Sequence, residues 1–165
     1  MNTFTHQPEQ PRHIGDYEDC DESVYDLLQK VLKFEEFYPF RYLNFKLIFN
    51  HKTKISKGRR VLATISLRKE KDALVHPYDA LIYIDHTYWV GYPDKREPLL
   101  YHELCHLYYD EETEKVTTVG HDVEDFYAVI RRYGDWQKDL EKFNMAAQQL
   151  ALNLSFEQDD ADDKN

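Results

Sequence analysis

Apolar positions recur at helical spacing from Val24 through Leu27, Leu28, Val31 and Leu32 to Phe37. That period puts them on one face of a helix. Asp21, Glu22 and Ser23 supply caps and negative charge for its N-terminus, and Pro39 ends it. The period then shortens. Phe45-Lys46-Leu47-Ile48-Phe49 is a short β-type run. Arg60 to Arg68 alternates, so that Val61, Ala63, Ile65 and Leu67 share a face of a second strand. His76-Pro77 breaks the chain before a third strand, Ala80 to Ile84, which runs into Asp85-His86-Thr87-Tyr88-Trp89.

Helical spacing returns after Gly91-Tyr92-Pro93. Arg96-Glu97-Pro98-Leu99-Leu100 reads as a helix start. Pro98 falls in the first turn, where its missing N–H costs nothing. Leu99, Leu100, Leu104 and Leu107 add an apolar stripe. Asp110 to Glu114 is an acidic turn, and the β-branched Val116 and Val119 predict a short strand over Glu114 to Val119. A later helix holds Phe126, Val129 and Ile130 on one side, with Asp122 as its cap and Gly134 as its stop. Asp135 caps a last helix through Trp136, Leu140, Phe143, Ala147 and Leu150.

These elements predict an α+β fold in one domain, residues 21–152, with a short mixed sheet packed on the helix after Pro98. Residues 1–20 are polar, with Pro8, Pro11 and Gly15, and read as a loose, disordered arm. Residues 153–165 are acidic and poor in apolar side chains, a disordered tail.

Composition narrows the picture. A chain of 165 residues is enough to bury a real core. Its net charge of −10 makes the whole surface a poor general binder of nucleic acid. Cys20 and Cys105 are too few for a zinc ribbon or a disulfide framework, which suits a reducing, cytoplasmic compartment. No signal peptide and no membrane-spanning run is expected.

The chemistry concentrates in Tyr101-His102-Glu103-Leu104-Cys105-His106-Leu107. Residues four apart on a helix lie almost one above the other. His102 and His106 can therefore offer two neutral imidazoles to a zinc ion, Zn2+. Glu103, one step round, reaches the same place without ligating, where it can take a proton from zinc-bound water. This is the H-E-x-x-H pattern of zinc-dependent peptidases. Cys105 falls off the histidine face and reads as packing.

A catalytic zinc needs a third protein ligand and an open position for water. Two residues compete. His121 lies at a loop-to-helix junction, far enough along the chain for a turn and a strand to bring it back. Glu124, one turn into the next helix, offers a carboxylate instead. Asp122 is placed to hold an imidazole N–H.

The run Leu99 to Leu107, followed by Gly120-His121-Asp122-Val123-Glu124-Asp125-Phe126, resembles the putative phage metallopeptidase family. Arg131-Arg132-Tyr133-Gly134-Asp135-Trp136 resembles the same family's C-terminal helix. The similarity covers roughly Phe45 to Trp136. More distantly, the arrangement is similar to SprT-like and other minimal zincin peptidases, although the cysteine zinc ribbon many of those carry has no counterpart here. The resemblance implies a zincin-like fold, His102, His106 and His121 as zinc ligands, Glu103 as base, and a protein or peptide substrate. It also implies work in the cytoplasm of a bacterial host. For the oxyanion that peptide hydrolysis generates, Tyr127, Tyr133, His86 and Arg132 are available donors.

A second reading attaches to charge. From Lys46 to Lys71 there are nine lysines and arginines against the single acid Glu70. Such asymmetry in an acidic chain can face nucleic acid or an acidic partner. A non-catalytic zinc protein that binds a host protein or nucleic acid through residues 46–71 is the alternative to the enzyme.

Overall fold

The computed structural model describes residues 12–121, 126–134 and 136. Two compact units divide the chain, Met1–Gly120 and His121–Asn165. In chain order the first contains β1 (His13–Ile14), β2 (Tyr17–Asp19), α1 (Glu22–Val31), β3 (Phe45–Asn50), β4 (Lys54–Ser56), β5 (Arg59–Val61), β6 (Ala63–Leu67), β7 (Ala80–Asp85), α2 (His86–Gly91), α3 (Arg96–Cys105), β8 (Leu107–Asp110) and β9 (Lys115–Thr118). The second contains α4 (Tyr127–Tyr133). The architecture is mixed α+β.

Five strands form one mixed sheet in the order β1-β2-β3-β7-β6. β3 and β7 run parallel at its centre, with Phe45 opposite Ala80 and Asn50 opposite Asp85. The other pairings are antiparallel. Side chains alternate across a strand, so Leu47 and Phe49 share a face with Ala80, Ile82 and Ile84. All five are buried. β4 and β5 make a separate, largely exposed hairpin, and β8 and β9 pair in a second one that is partly buried. The β4–β5 turn carries two positive φ angles, at Lys57 and Gly58, the backbone that a tight hairpin requires.

The loose arm expected over residues 1–20 ends earlier. Residues 13–19 form a hairpin of β1 and β2, because β2 takes the open edge of β3. Its residues Tyr17-Glu18-Asp19 give no hydrophobic signal, and edge hydrogen bonds decide the outcome. Lys46 adds an ion pair to Asp19 at 2.7 Å. Residues 1–11 and the predicted tail lie outside the described residues, as does the last predicted helix beyond Trp136.

The first predicted helix also stops short. α1 begins as expected, with Asp21 accepting from the Ser23 N–H at 2.9 Å, a cap worth about 1 kcal/mol. It ends at Val31, and residues Glu35–Phe40 form a 3-10 turn instead. Pro39 cannot donate to the carbonyl four residues back and would clash with it. Arg41 closes the gap, its guanidinium donating to Leu32 O and Lys33 O at 2.7 Å each. The predicted strand Arg60–Arg68 is likewise split at Leu62, its first part pairing with β4 rather than β7. α2 was not foreseen. It starts because Asp85 accepts from the Tyr88 N–H at 3.0 Å.

α3 packs on α1 and β6. Lys30 Nζ meets Glu97 Oε2 at 2.5 Å. The Tyr101 ring stands edge-on to Phe37 at 4.8 Å, and its hydroxyl donates to Glu36. Among the described residues no helix is long and apolar enough to cross a membrane.

Candidate metal centre

Every residue of α3 from Pro98 to Leu104 is buried. The expected apolar stripe is in fact a helix enclosed all round, as in the middle of a core. Its polar members stand out for that reason. His102 is 9% exposed and Glu103 3%. A buried imidazole and a buried carboxylate cost free energy unless hydrogen bonds or a metal offset it.

The second histidine is held differently. α3 ends at Cys105, and His106 is its C-cap, with helical φ −72° and ψ −12°. The His102 and His106 rings are 5.2 Å apart at 76°. Leu107, expected to continue the stripe, is instead the buried first residue of β8, paired with Thr118. The β8–β9 hairpin thereby carries Val119 back to His106. His106 Nδ1 lies 2.8 Å from Val119 O. A carbonyl can only accept, so Nδ1 bears the proton and the lone pair of the neutral ring sits on Nε2. Metal-ligating histidines are commonly fixed in this way. The donor set fits a zinc ion: two imidazoles one helical turn apart, one with its tautomer set, and a buried carboxylate next to the other.

In the second unit, His121 is the first residue and is exposed. Its ring meets Phe126 edge-on at 5.2 Å and 87°. Phe126, expected inside α4, is its N-cap, and Gly134 ends the helix with φ +64°, the stop the sequence predicted. Phe126, Val129 and Trp136 are buried. Asp122, expected as the cap, and Glu124, the rival ligand, lie outside the described residues. Of the oxyanion candidates, Arg132 is exposed and Tyr133 half-buried. His86 opens α2 and faces His51, at 4.2 Å between ring centroids. No spacing in the sequence reveals that pairing. It follows from the parallel register of β3 and β7.

The basic segment is partly committed to the fold. Lys46 pairs with Asp19, and Arg68 pairs with Asp79 at 3.1 Å. Arg60 binds both oxygens of the buried Asp85, at 2.8 and 2.6 Å. No disulfide joins Cys20 and Cys105. Burial pushes the Cys20 thiol well above its ordinary pKa, so it is inert packing.

A family model described as Putative phage metallopeptidase matches residues 16–144. No curated protein and no solved structure matches the chain.

Proposed function

Since the chain belongs to the putative phage metallopeptidase family, we propose that it is a zincin-like peptidase whose zinc is held by His102, His106 and His121. The observation that carries this reading is the His106–Val119 bond, which leaves Nε2 as the donor atom beside the buried His102–Glu103 pair. Chain connectivity supports His121 as the third ligand. It follows Val119 by two residues, a backbone path of at most about 7 Å. Glu124 is three residues further and correspondingly less constrained.

When bound, zinc supplies Lewis-acid charge that polarises a scissile carbonyl and acidifies water. The remaining work falls to this chain. Glu103, on α3 beside His102, takes the proton from the attacking water and returns it to the leaving amine. Its burial keeps competing solvent away from that transfer. The imidazoles hold their positions without moving a proton, His106 through its bond to Val119. The substrate is a protein or peptide.

The test is proteolysis by the zinc-reconstituted full chain, with casein as an unfolded substrate. Cleavage is expected to stop with a chelator and to fall about 10²–10⁴-fold in Glu103→Gln at unchanged zinc content. Cleavage by Glu103→Gln at the wild-type rate would remove Glu103 from the mechanism.

A further inference from the structure

The sheet brings together a second set of metal-ligating side chains, remote in sequence from α3. Glu18 is opposite Phe49 in the β2–β3 pairing. His51 follows Phe49 by two residues, so it points to the same face one step further along. The parallel pairing sets Asn50 opposite Asp85, which brings His86, the residue after Asp85, level with His51. Glu18, His51 and His86 are all half-buried, and their ligand atoms lie within 4.8 Å of one another.

The contacts are close. His51 Nε2 is 2.8 Å from Glu18 Oε2. The His51 and His86 rings are 4.2 Å apart at 36°. Phe49 meets His86 edge-on at 5.1 Å and is itself buried, giving the cluster an apolar floor. His13, opposite Glu18 across the β1–β2 pair, brings another imidazole within 5.3 Å of His51. A simple ion pair needs one imidazole and one carboxylate. It does not account for a second imidazole held against the first.

We propose that Glu18, His51 and His86 form a second site for a divalent transition-metal ion, zinc or nickel by its mixed nitrogen and oxygen donors. Two imidazoles and one carboxylate are the donors these borderline ions take. Tetrahedral bonds of 2.0–2.2 Å put ligand atoms about 3.4 Å apart, which small side-chain rotations reach from the present spacing. The three ligands come from β2, the end of β3 and the start of α2. An ion there ties β2 to the parallel pair at the centre of the sheet. Its role is structural, and it is independent of the α3 histidines.

The experiment is calorimetric titration of the metal-free full chain with Zn2+ alone, and then with Ni2+ alone. Wild type, His51→Ala, His86→Ala and His106→Ala are compared, each first checked for a native circular-dichroism spectrum. His51 and His86 are half-buried at a sheet end, so their loss leaves the core intact. The expected result is one binding event fewer in both His51→Ala and His86→Ala than in wild type, with that event retained in His106→Ala. Amide hydrogen exchange in β2 is expected to slow on metal addition in wild type and not in His51→Ala. Equal numbers of events in wild type, His51→Ala and His86→Ala would overturn the proposal. Loss of an event only in His106→Ala would do the same, while leaving the α3 centre standing.

Discussion

His106 is tied to Val119 twice. Its ring Nδ1 donates to the Val119 carbonyl at 2.8 Å, and its own carbonyl accepts the Val119 N–H, also at 2.8 Å. The main-chain bond extends the β8–β9 ladder, and the side-chain bond uses that ladder to orient an imidazole. The β8–β9 hairpin thus fixes which nitrogen of His106 can meet a metal.

Val119→Pro deletes the N–H and keeps the carbonyl. The hairpin end loosens and the ring loses its fixed partner. Zinc affinity is expected to fall about 10–100-fold, the usual cost of losing a group that orients a ligand. Competition with a chelating dye measures it. Affinity equal to wild type would mean that the hairpin does not position His106.

Asp85 links acid sensitivity to the fold. Burial raises its pKa, but the Arg60 hydrogen bonds and the backbone N–H groups of Tyr88 and Thr87 outweigh that and hold it below the ordinary 3.8. A folded pKa below the unfolded one gives stability that is fully present above the unfolded value. It is lost as pH falls through the folded value. Asp85→Asn is expected to cost about 2 kcal/mol at neutral pH. The gap from wild type should close below about pH 4, as the wild-type carboxyl protonates. Urea unfolding at pH 7, 5, 4 and 3 checks this, and a gap that stays constant with pH would contradict it.

Gly134 ends α4 with φ +64° and ψ −145°, a conformation nearly closed to residues with a side chain. A Cβ there would meet nothing within 4 Å, so the cost of Gly134→Ala is backbone strain alone. About 1–3 kcal/mol of destabilisation is expected, read from thermal melts followed at 222 nm. An unchanged melt would show that the helix end can relax.

The sequence made some of this legible and hid the rest for physical reasons. The helix start at Arg96 and the β-runs at Phe45 and Ala80 are local signals, and each appears where predicted. The spacing of His102, Glu103 and His106 is equally local, and the structure sets these residues in the last turn and cap of α3. Whether His121 joins them rests on chain connectivity and the family resemblance. β1 and β2 stay hidden because their short, mostly polar runs carry no periodicity, and only an open sheet edge makes them strands. That His106 caps α3 rather than continuing it depends on Leu107 pairing with Thr118, a contact across a turn. His51 and His86 are neighbours only through the register of two parallel strands, which no short window contains. Arg60 and Arg68 looked like a charged surface until the sheet supplied Asp85 and Asp79.

The central claim is a zinc ion held by three histidines. The most direct measurement is zinc per chain by elemental analysis, on protein purified without a metal-binding tag. It is made in the His51→Ala background, so that only the α3 centre is counted. One equivalent is predicted, falling to none with His121→Ala added and unchanged with Glu124→Ala added. Zinc that survives His121→Ala, or that disappears with Glu124→Ala, would contradict the account.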